Sequence, residues 1–253
     1  MKVREVVSAL EKFAPLPLQE SYDNAGLQCG LTEAEVSGAL LCLDVTDEVL
    51  CEAVDLGCNM VISHHPLLFH AVKCVSDRSN IERCLRKAIQ NDIAIYSSHT
   101  NLDNAEDGVN YMIAEKIGLV DVVPMQGGGV IGYLPMEEQA EFFLERVKEV
   151  FRCSCLMHNE MLSRPIGSVA ICGGAGDFAI DEAVRQEADA FITGEMHYHR
   201  YFGHEDEIQI AVLGHYESEQ FTTELLSRVL TEKLPDLPVY ITEINTNPIK
   251  YLI

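Results

Sequence analysis

The stretch SGALLCLDVTDEVLCEAVDLGCNMVIS at residues 37–63 decides the fold. It opens with an apolar run at 37–45, continues with a segment of helical period at 46–57, and ends with a second apolar run at 59–63. Short apolar runs of this kind are typical of buried strands. A strand, a helix and a second strand in this order are the repeating unit of a parallel sheet, so we predict α/β layering.

The same alternation continues along the chain, and it predicts mixed, largely parallel sheets. The N-terminal segment MKVREVVSALEKFAPL also has a helical rhythm. The further predicted strands lie at 93–98, 167–174, 189–194 and 208–214, and the further predicted helices at 79–92, 178–188 and 218–234.

A glycine cluster, MQGGGVIG at 125–132, is the best candidate for a domain boundary. The segment that follows, LPMEEQAEFFLERVKEVF at 134–151, is typical of a helix that opens a second lobe. We therefore expect two tightly packed α/β lobes of similar size, at 1–125 and 126–253.

The composition excludes several classes of protein. The formal net charge is −22, which opposes binding to nucleic acid, to anionic lipid and to nucleotides unless bound cations reverse the local field. Charged residues interrupt every apolar run well before the ~20 residues that span a bilayer. The N-terminus lacks the features of a secretory signal, so we expect a soluble protein that is not exported.

Nine cysteines are an odd number, and most lie singly within apolar stretches. A reduced thiol in such a place behaves as a small hydrophobe, so we expect buried, unpaired cysteines and a reducing, cytoplasmic location. The cysteines to which this applies most directly are Cys42, Cys51, Cys58, Cys84 and Cys172.

Polar side chains follow almost every predicted strand, at the point where ligands bind in open α/β sheets. The four strand ends carry His64-His65-Pro66, His99 to Asp103, Glu195 to His199, and His215 to Glu219. The coincidence of these four strand ends favours a functional site.

The pair His64 and His65 would project to opposite faces of a regular strand. Both imidazoles converge only if the strand has ended, and Pro66 helps to end it. The alternative is polar filling at a sheet edge.

The residues His215 and Glu219 are four positions apart at the start of a helical segment, which stacks them on one face and allows both to bind one ion. Alternatively, Glu219 or Ser218 caps the helix. Asp103 offers a carboxylate that can bridge two ions, or it caps a helix that starts near Asp107.

Three imidazoles and two carboxylates are a borderline ligand set, suited to Zn, Mn, Fe, Co or Ni and poorly suited to Ca or Mg. Five such side chains suffice for two ions. Two close ions typically acidify a shared water, which indicates hydrolytic chemistry.

Six motifs of this chain resemble those of the NIF3-like proteins, also called the GTP cyclohydrolase 1 type 2 homologue family. They occur in family order and span nearly the whole chain. The motifs are SYDNAGLQCG at 21–30, VISHHPLLF at 61–69, SSHTNLD at 97–103, CGGAGDF at 172–178, ITGEMHYH at 192–199 and GHYESE at 214–219.

The resemblance implies a dinuclear metal centre in the cleft of a two-lobed α/β fold, and a toroidal homohexamer. The short stretch from 120 to 165 implies the compact form, without the domain that some relatives carry between the lobes. The metal ligands that the resemblance assigns are His64, His65, Asp103, His215 and Glu219.

Each of the other motif residues has two possible roles. His99 and His199 either carry protons and contact substrate or support the ligands by hydrogen bonds. Asp23 and Asn24 either orient a ligand or form a turn. The glycines of CGGAGDF either cradle an anion or form an ordinary turn.

Two functions fit these observations. The first is a metal-dependent hydrolase. The resemblance implies that it opens the guanine imidazole ring of GTP and releases formate. Hydrolysis of a phosphoester or an amide in another substrate fits the same centre. The second is a metal-binding or regulatory interaction module. Open metal positions would favour the hydrolase, and saturated coordination would favour the module.

Overall fold

A computed structural model describes residues 1–252 of the chain, which divides into two compact units. Unit 1 comprises Met1–Ala105 and Thr222–Pro248, and unit 2 comprises Glu106–Phe221 with the residues from Ile249 onward. Each unit contains one sheet with helices packed on it.

The elements are numbered in chain order. The strands are β1 (Gly26–Cys29), β2 (Ala39–Cys42), β3 (Met60–Ser63), β4 (Ala94–Ser97), β5 (Val120–Pro124), β6 (Val130–Glu138), β7 (Met157–His158), β8 (Ile166–Cys172), β9 (Ala190–Thr193), β10 (Gln209–Val212) and β11 (Val239–Ile241). The helices are α1 (Val3–Phe13), α2 (Asp47–Asp55), α3 (Asn80–Gln90), α4 (Thr100–Asp103), α5 (Val109–Ile117), α6 (Ala140–Val150), α7 (Ile180–Arg185), α8 (His215–Glu219) and α9 (Thr222–Lys233).

The sheet of unit 1 has the strand order β1-β4-β3-β2-β11. Strands β2, β3, β4 and β11 run parallel, and only β1 is antiparallel to its neighbour. The three central strands are buried along their whole length, and side chains such as Leu40, Val61 and Ile95 pack with α2 and α3 in one core. The parallel arrangement places the carboxyl ends of β2, β3 and β4 at one edge.

The sheet of unit 2 has the order β5-β6-β8-β9-β10-β7. Strands β8, β9 and β10 are parallel, whereas the other three pairs are antiparallel. The core includes Ala170, Phe191 and Ile210. The prediction of α/β units with mixed sheets is confirmed, although parallel pairing dominates only in unit 1.

Two helices of unit 1, α2 and α3, begin at side-chain caps. The side chain of Thr46 accepts a hydrogen bond from the amide of Val49 and caps α2, and Ser79 does the same for α3 through the amide of Glu82. Such caps satisfy amides that have no partner within the helix.

The two units are divided differently from the predicted boundary at residue 125. Residues 106–125 belong to unit 2, since β5 pairs with β6. Residues 222–248 return to unit 1, because β11 adds to the edge of β2.

Two local predictions need correction. The segment 134–151 is not one helix: residues 134–138 complete β6, and α6 starts only at Ala140. Cys51 is exposed on α2 rather than buried, because it lies on the outer face of that helix, whereas Cys42, Cys58, Cys84 and Cys172 are buried as predicted.

Among residues 1–252, no helix combines the length and the apolar character needed to cross a membrane.

Candidate metal centre

The candidate ligands of unit 1 lie at the carboxyl ends of neighbouring parallel strands. Cys42 of β2, Ser63 of β3 and Ser97 of β4 are level in the sheet register. The residues that follow them therefore emerge at one edge of the sheet. Those residues include Asp44 after β2, His64 and His65 after β3, and His99 after β4.

Strand β3 ends at Ser63, before the two histidines, as the sequence predicts. The amides of His64 and His65 donate to the carbonyls of Cys42 and Leu43, at 3.1 and 2.9 Å, which holds both residues beside the end of β2. The two rings converge, with their centroids 5.0 Å apart.

Three imidazoles of unit 1 form one group. One nitrogen from each of His64, His65 and His99 lies within 4.8 Å of the corresponding nitrogen of the other two. The ring centroids of His99 are 5.3 Å from His64 and 5.5 Å from His65. The structure thus brings His99, which the sequence suggested as a proton carrier or support, to the two predicted ligands.

Each of these rings is held through Nδ1 by an oxygen atom. Nδ1 of His64 lies 2.8 Å from the carbonyl oxygen of Ser98, that of His65 2.8 Å from Oδ1 of Asp44, and that of His99 2.8 Å from Oδ1 of Asp23. A carbonyl or carboxylate oxygen only accepts hydrogen bonds, so Nδ1 must donate. In the neutral ring the lone pair is then on Nε2, the arrangement typical of metal-binding histidines.

The two supporting carboxyl groups remain ionised. Burial raises the pKa of Asp23, but hydrogen bonds from His99 and Thr100 outweigh it and lower the pKa to about 2. Burial likewise raises the pKa of Asp44, and hydrogen bonds from His65 and Thr246 outweigh it and bring that pKa below its ordinary value. Both groups therefore stay hydrogen-bond acceptors for the imidazoles at neutral pH.

Asp103 ends the single turn of α4, and its Oδ1 lies 3.5 Å from Nε2 of His64. It does not join the group of three imidazoles, whose nitrogens are all within 4.8 Å of one another. The structure thus places Asp103 next to one predicted ligand of unit 1.

In unit 2, α8 brings His215 and Glu219 together as the spacing predicts. Nε2 of His215 lies 3.2 Å from Oε2 of Glu219, and Nδ1 of His215 lies 2.9 Å from Oε1 of Glu195. Glu219 is buried, with 5% of its side chain exposed, whereas His215 is 32% exposed. The ring of His215 is therefore oriented as the rings of unit 1 are, with a carboxylate on Nδ1.

These contacts fit a divalent ion. A tetrahedral ion with bonds of about 2.1 Å places two ligand atoms about 3.4 Å apart. The 3.5 Å between His64 and Asp103 and the 3.2 Å between His215 and Glu219 agree with this spacing. Each pair therefore has the spacing at which one ion can contact both atoms.

The glycine loop after β8 supports the ligand pair of unit 2 and is not an open anion cradle. The amide of Gly173 donates to Oδ1 of Asn110 at 2.9 Å, and the amide of Gly174 donates to Oγ of Ser218 at 3.0 Å. These two amides are therefore already occupied by side chains.

His199 belongs to neither group of candidate ligands. It lies on an exposed 3-10 turn, Tyr198–Tyr201, where its ring contacts Tyr198 and Phe202. Among residues 1–252 it joins no group of side chains that could hold an ion. Asn24 binds the carbonyl of Leu68 at 2.7 Å.

Sequence reasoning missed the supporting role of two carboxylates, Asp44 and Glu195. Both lie two residues beyond the end of a buried strand, which is the same signal that identified the histidines. The sequence does not show which histidine each carboxylate contacts, because the two partners are about 20 positions apart.

Comparisons with known proteins extend over both units. The family model of Duf34/NIF3 (NGG1p interacting factor 3) matches residues 1–248. A GTP cyclohydrolase 1 type 2 homolog of Clostridium acetobutylicum is 32% identical, and the alignment covers 99% of each chain.

Solved structures share the fold. The crystal structure of a hypothetical protein of Staphylococcus aureus has a TM-score of 0.94 at 28% identity, over 100% of this chain and 99% of that one. A Bacillus cereus protein related to NIF3 has a TM-score of 0.88 at 24% identity, over 100% and 99% of the two chains.

Proposed function

Since this chain belongs to the Duf34/NIF3 family, we propose that it binds two divalent metal ions and acts as a metal-dependent hydrolase. One observation carries the proposal. All four histidines of the candidate groups have Nδ1 on an oxygen acceptor, which leaves Nε2 to face a ligand. This second-sphere arrangement is usual around protein-bound metals.

The ligands that we propose are those of the family resemblance. Unit 1 contributes His64, His65 and Asp103, and unit 2 contributes His215 and Glu219. Imidazole and carboxylate ligands favour Zn, Mn, Fe, Co or Ni. The partial exposure of His215 gives water access to its metal position, as hydrolysis requires and as storage does not.

Two bound divalent ions would supply an acidified water as nucleophile at neutral pH. Side chains around the ligands hold the imidazoles in position. Asp44, Asp23 and Glu195 fix the planes of three imidazoles and hold their Nδ1 protons, so that each Nε2 lone pair keeps its direction and stays available to a metal ion.

For the substrate we propose a nucleotide, with GTP as the first candidate. Several relatives carry the name GTP cyclohydrolase 1 type 2 homolog. In this reaction one water opens the C8–N9 bond of guanine and a second cleaves the resulting formamide, so that two waters are consumed and one formate is released. The charge of −22 makes metal ions necessary to attract a triphosphate.

The test measures metal content and formate release together. The native protein, Glu219→Ala and the matched exposed control Glu205→Ala are reconstituted with Zn, Mn, Fe, Co and Ni in turn, and each is incubated with GTP. We expect about two ions per chain and formate from the native protein and the control. Glu219→Ala should lose about one ion and the formate.

Two results would contradict parts of the proposal. Less than one ion per chain after reconstitution of the native protein would exclude the metal centre. Full metal content without formate for any metal would exclude GTP hydrolysis, and would favour a regulatory metal-binding module or hydrolysis of another phosphoester or amide.

A further inference from the structure

We infer that Phe69 and Tyr22 form a platform on which a planar aromatic base of the substrate stacks beside the metal centre. The inference rests on the proposed function and deepens it, because it names the side chains that recognise the base, whereas the metal ions bind polar groups of the same molecule. Both residues belong to unit 1, and Phe69 is 37% and Tyr22 65% exposed.

The platform lies next to the imidazoles of unit 1. The ring centroid of Phe69 is 6.1 Å from that of His99 and 6.4 Å from that of Tyr22. The planes of these two rings are inclined to the plane of Phe69 by 83° and 61°, and the plane of His70 is inclined by 66°. None of these three rings is therefore stacked in parallel on Phe69, and the exposed part of its ring is accessible to a flat molecule.

Hydrogen bonds fix the backbone that carries the platform. Nδ2 of Asn24 donates to the carbonyl of Leu68 at 2.7 Å, and the amide of Leu68 donates to Oε1 of Gln28 at 3.2 Å. These bonds tie the segment just before Phe69 to the loop that contains Tyr22. Because the backbone is already held, little further freedom is lost when a ligand binds, which favours affinity.

The same loop is tied to the metal centre. Oδ1 of Asp23, the residue after Tyr22, lies 2.8 Å from Nδ1 of His99, and Oδ2 of Asp23 accepts from the amide of Thr100 at 3.1 Å. The aromatic rings and the imidazole thus share one support, so a base stacked on Phe69 has a fixed position relative to His99. Attack on an atom of that base depends on such positioning.

The chemistry of the platform favours a base over other groups. Single exposed aromatic residues are common and need no ligand, but here two contact each other and one contacts an imidazole of the centre. Stacking on an aromatic side chain strengthens the binding of a base about 5- to 150-fold, whatever the base. The net charge of −22 disfavours a phosphate site away from the metal ions. A heterocycle such as guanine therefore fits the two uncharged rings.

The first experiment uses the platform as its own reporter. The chain contains no tryptophan, so Phe69→Trp introduces a single indole and keeps a stacking surface at this position. In the zinc-reconstituted protein we expect guanosine, which has no charge, to quench the indole fluorescence saturably, whereas ribose should not. The matched control is Phe142→Trp on α6, where the ring is 61% exposed and guanosine should quench only in proportion to its concentration.

The second experiment separates stacking from packing against His99. Guanosine binding to the native protein and to Phe69→Ala, Phe69→Leu and Phe69→Trp is measured by NMR titration, and the metal content of each is determined. We expect Phe69→Ala and Phe69→Leu to weaken binding about 5- to 150-fold and Phe69→Trp to retain it, with native metal content in all three. A role in packing alone predicts instead that Phe69→Leu behaves like the native protein, because leucine is apolar but has no ring.

Three outcomes would overturn the inference. Guanosine quenches Phe69→Trp in the same proportional way as Phe142→Trp, or Phe69→Leu binds guanosine as tightly as the native protein. In the third, Phe69→Leu loses metal together with guanosine binding, which would mean that Phe69 acts by supporting His99. Failure of the proposed reaction is distinct from these. If GTP gives no formate but guanosine quenches Phe69→Trp saturably, the reaction is excluded and the platform is supported.

Discussion

One glycine, Gly174, leaves the space that the candidate ligand pair of unit 2, His215 and Glu219, occupies. Gly174 has φ of +58°, and a Cβ placed there would overlap Oε1 of Glu219 and lie 3.5 Å from Nε2 of His215. We therefore expect Gly174→Ala to displace Glu219 and to remove about one metal ion per chain. The strained backbone should also cost about 1–3 kcal/mol of unfolding free energy.

Gly203→Ala is the matched control for this prediction. Gly203 also has positive φ, at +85°, but a Cβ there has no atom within 4 Å. The backbone cost should be similar, while metal content measured by mass spectrometry should remain that of the native protein. Equal metal loss in both variants would show that backbone strain, and not the overlap with Glu219, is responsible.

The cysteines divide into reactive and protected thiols. Cys51, Cys74 and Cys155 are exposed, whereas burial raises the pKa of Cys84 to about 11 and that of Cys153 to about 12. At about pH 8 only about one in a thousand Cys84 side chains is then a thiolate, which is the reactive form.

Alkylation of the native protein with iodoacetamide, followed by peptide mass spectrometry, should therefore modify the three exposed cysteines first. Unfolding in guanidinium should make all nine react at similar rates. Fast modification of Cys84 in the folded protein would contradict the predicted protection.

At the scale of elements, the C-terminal segment after β11 helps to hold His65, a candidate metal ligand. The hydroxyl of Thr246 donates to Oδ2 of Asp44 at 2.8 Å, while Oδ1 of the same carboxylate accepts from His65. We expect Thr246→Val to let Asp44 rotate and to weaken metal binding at His65 by about tenfold. Thr246→Ser should restore it.

The metal affinities of the native protein, Thr246→Val and Thr246→Ser are measured by competition with a chelator. Thermal unfolding of the metal-free forms gives their stability. Thr231→Val, at an exposed position of α9, serves as the control. A loss of stability in Thr246→Val without a change in metal affinity would mean that the segment only anchors the fold.

Burial explains which strands the sequence could predict. The six predicted strands correspond to β2, β3, β4, β8, β9 and β10, and all of them are largely buried apolar runs. The four strands at the sheet edges, β1, β5, β7 and β11, were missed. These edge strands are short and largely not buried, so they do not form the long apolar runs by which a central strand is recognised.

The inner strand β6 was missed for another reason. Its last residues, 134–138, contain a proline and two glutamates and merge into the periodicity of α6. Proline occurs in sheets at irregular positions, and the register of β6 with β8 does shift between Tyr133 and Glu138. The helical pattern therefore extended too far toward the N-terminus.

His64, His65 and His215 stand out in the sequence because each comes directly after a buried strand or begins a helix, and both features are local. The role of His99 depended on contacts over long sequence distances. It meets Asp23, which is 76 positions away, and His64, which is 35 positions away. No local pattern contains such pairs, so the sequence could name the residue and not its neighbours.

At the scale of the whole molecule, the family resemblance predicts a homohexamer. Because the chain is strongly charged, the stability of this assembly should depend on the salt concentration, which can be tested. Each chain carries −22, so association of six chains brings like charges together and is opposed at low ionic strength. Apolar side chains for interfaces are available on the surface, among them Met136 and Phe142 of unit 2, which are 81% and 61% exposed.

Because salt screens repulsion while leaving apolar contacts intact, we expect the assembly to be more stable at moderate salt than at low salt. Light scattering coupled to size exclusion should give about 169 kDa for six chains of 28.1 kDa at moderate salt, with smaller species appearing as salt is removed. A mass of one chain at every ionic strength would exclude the hexamer. A mass that falls as salt rises would mean that ion pairs between chains, and not apolar contacts, hold it together.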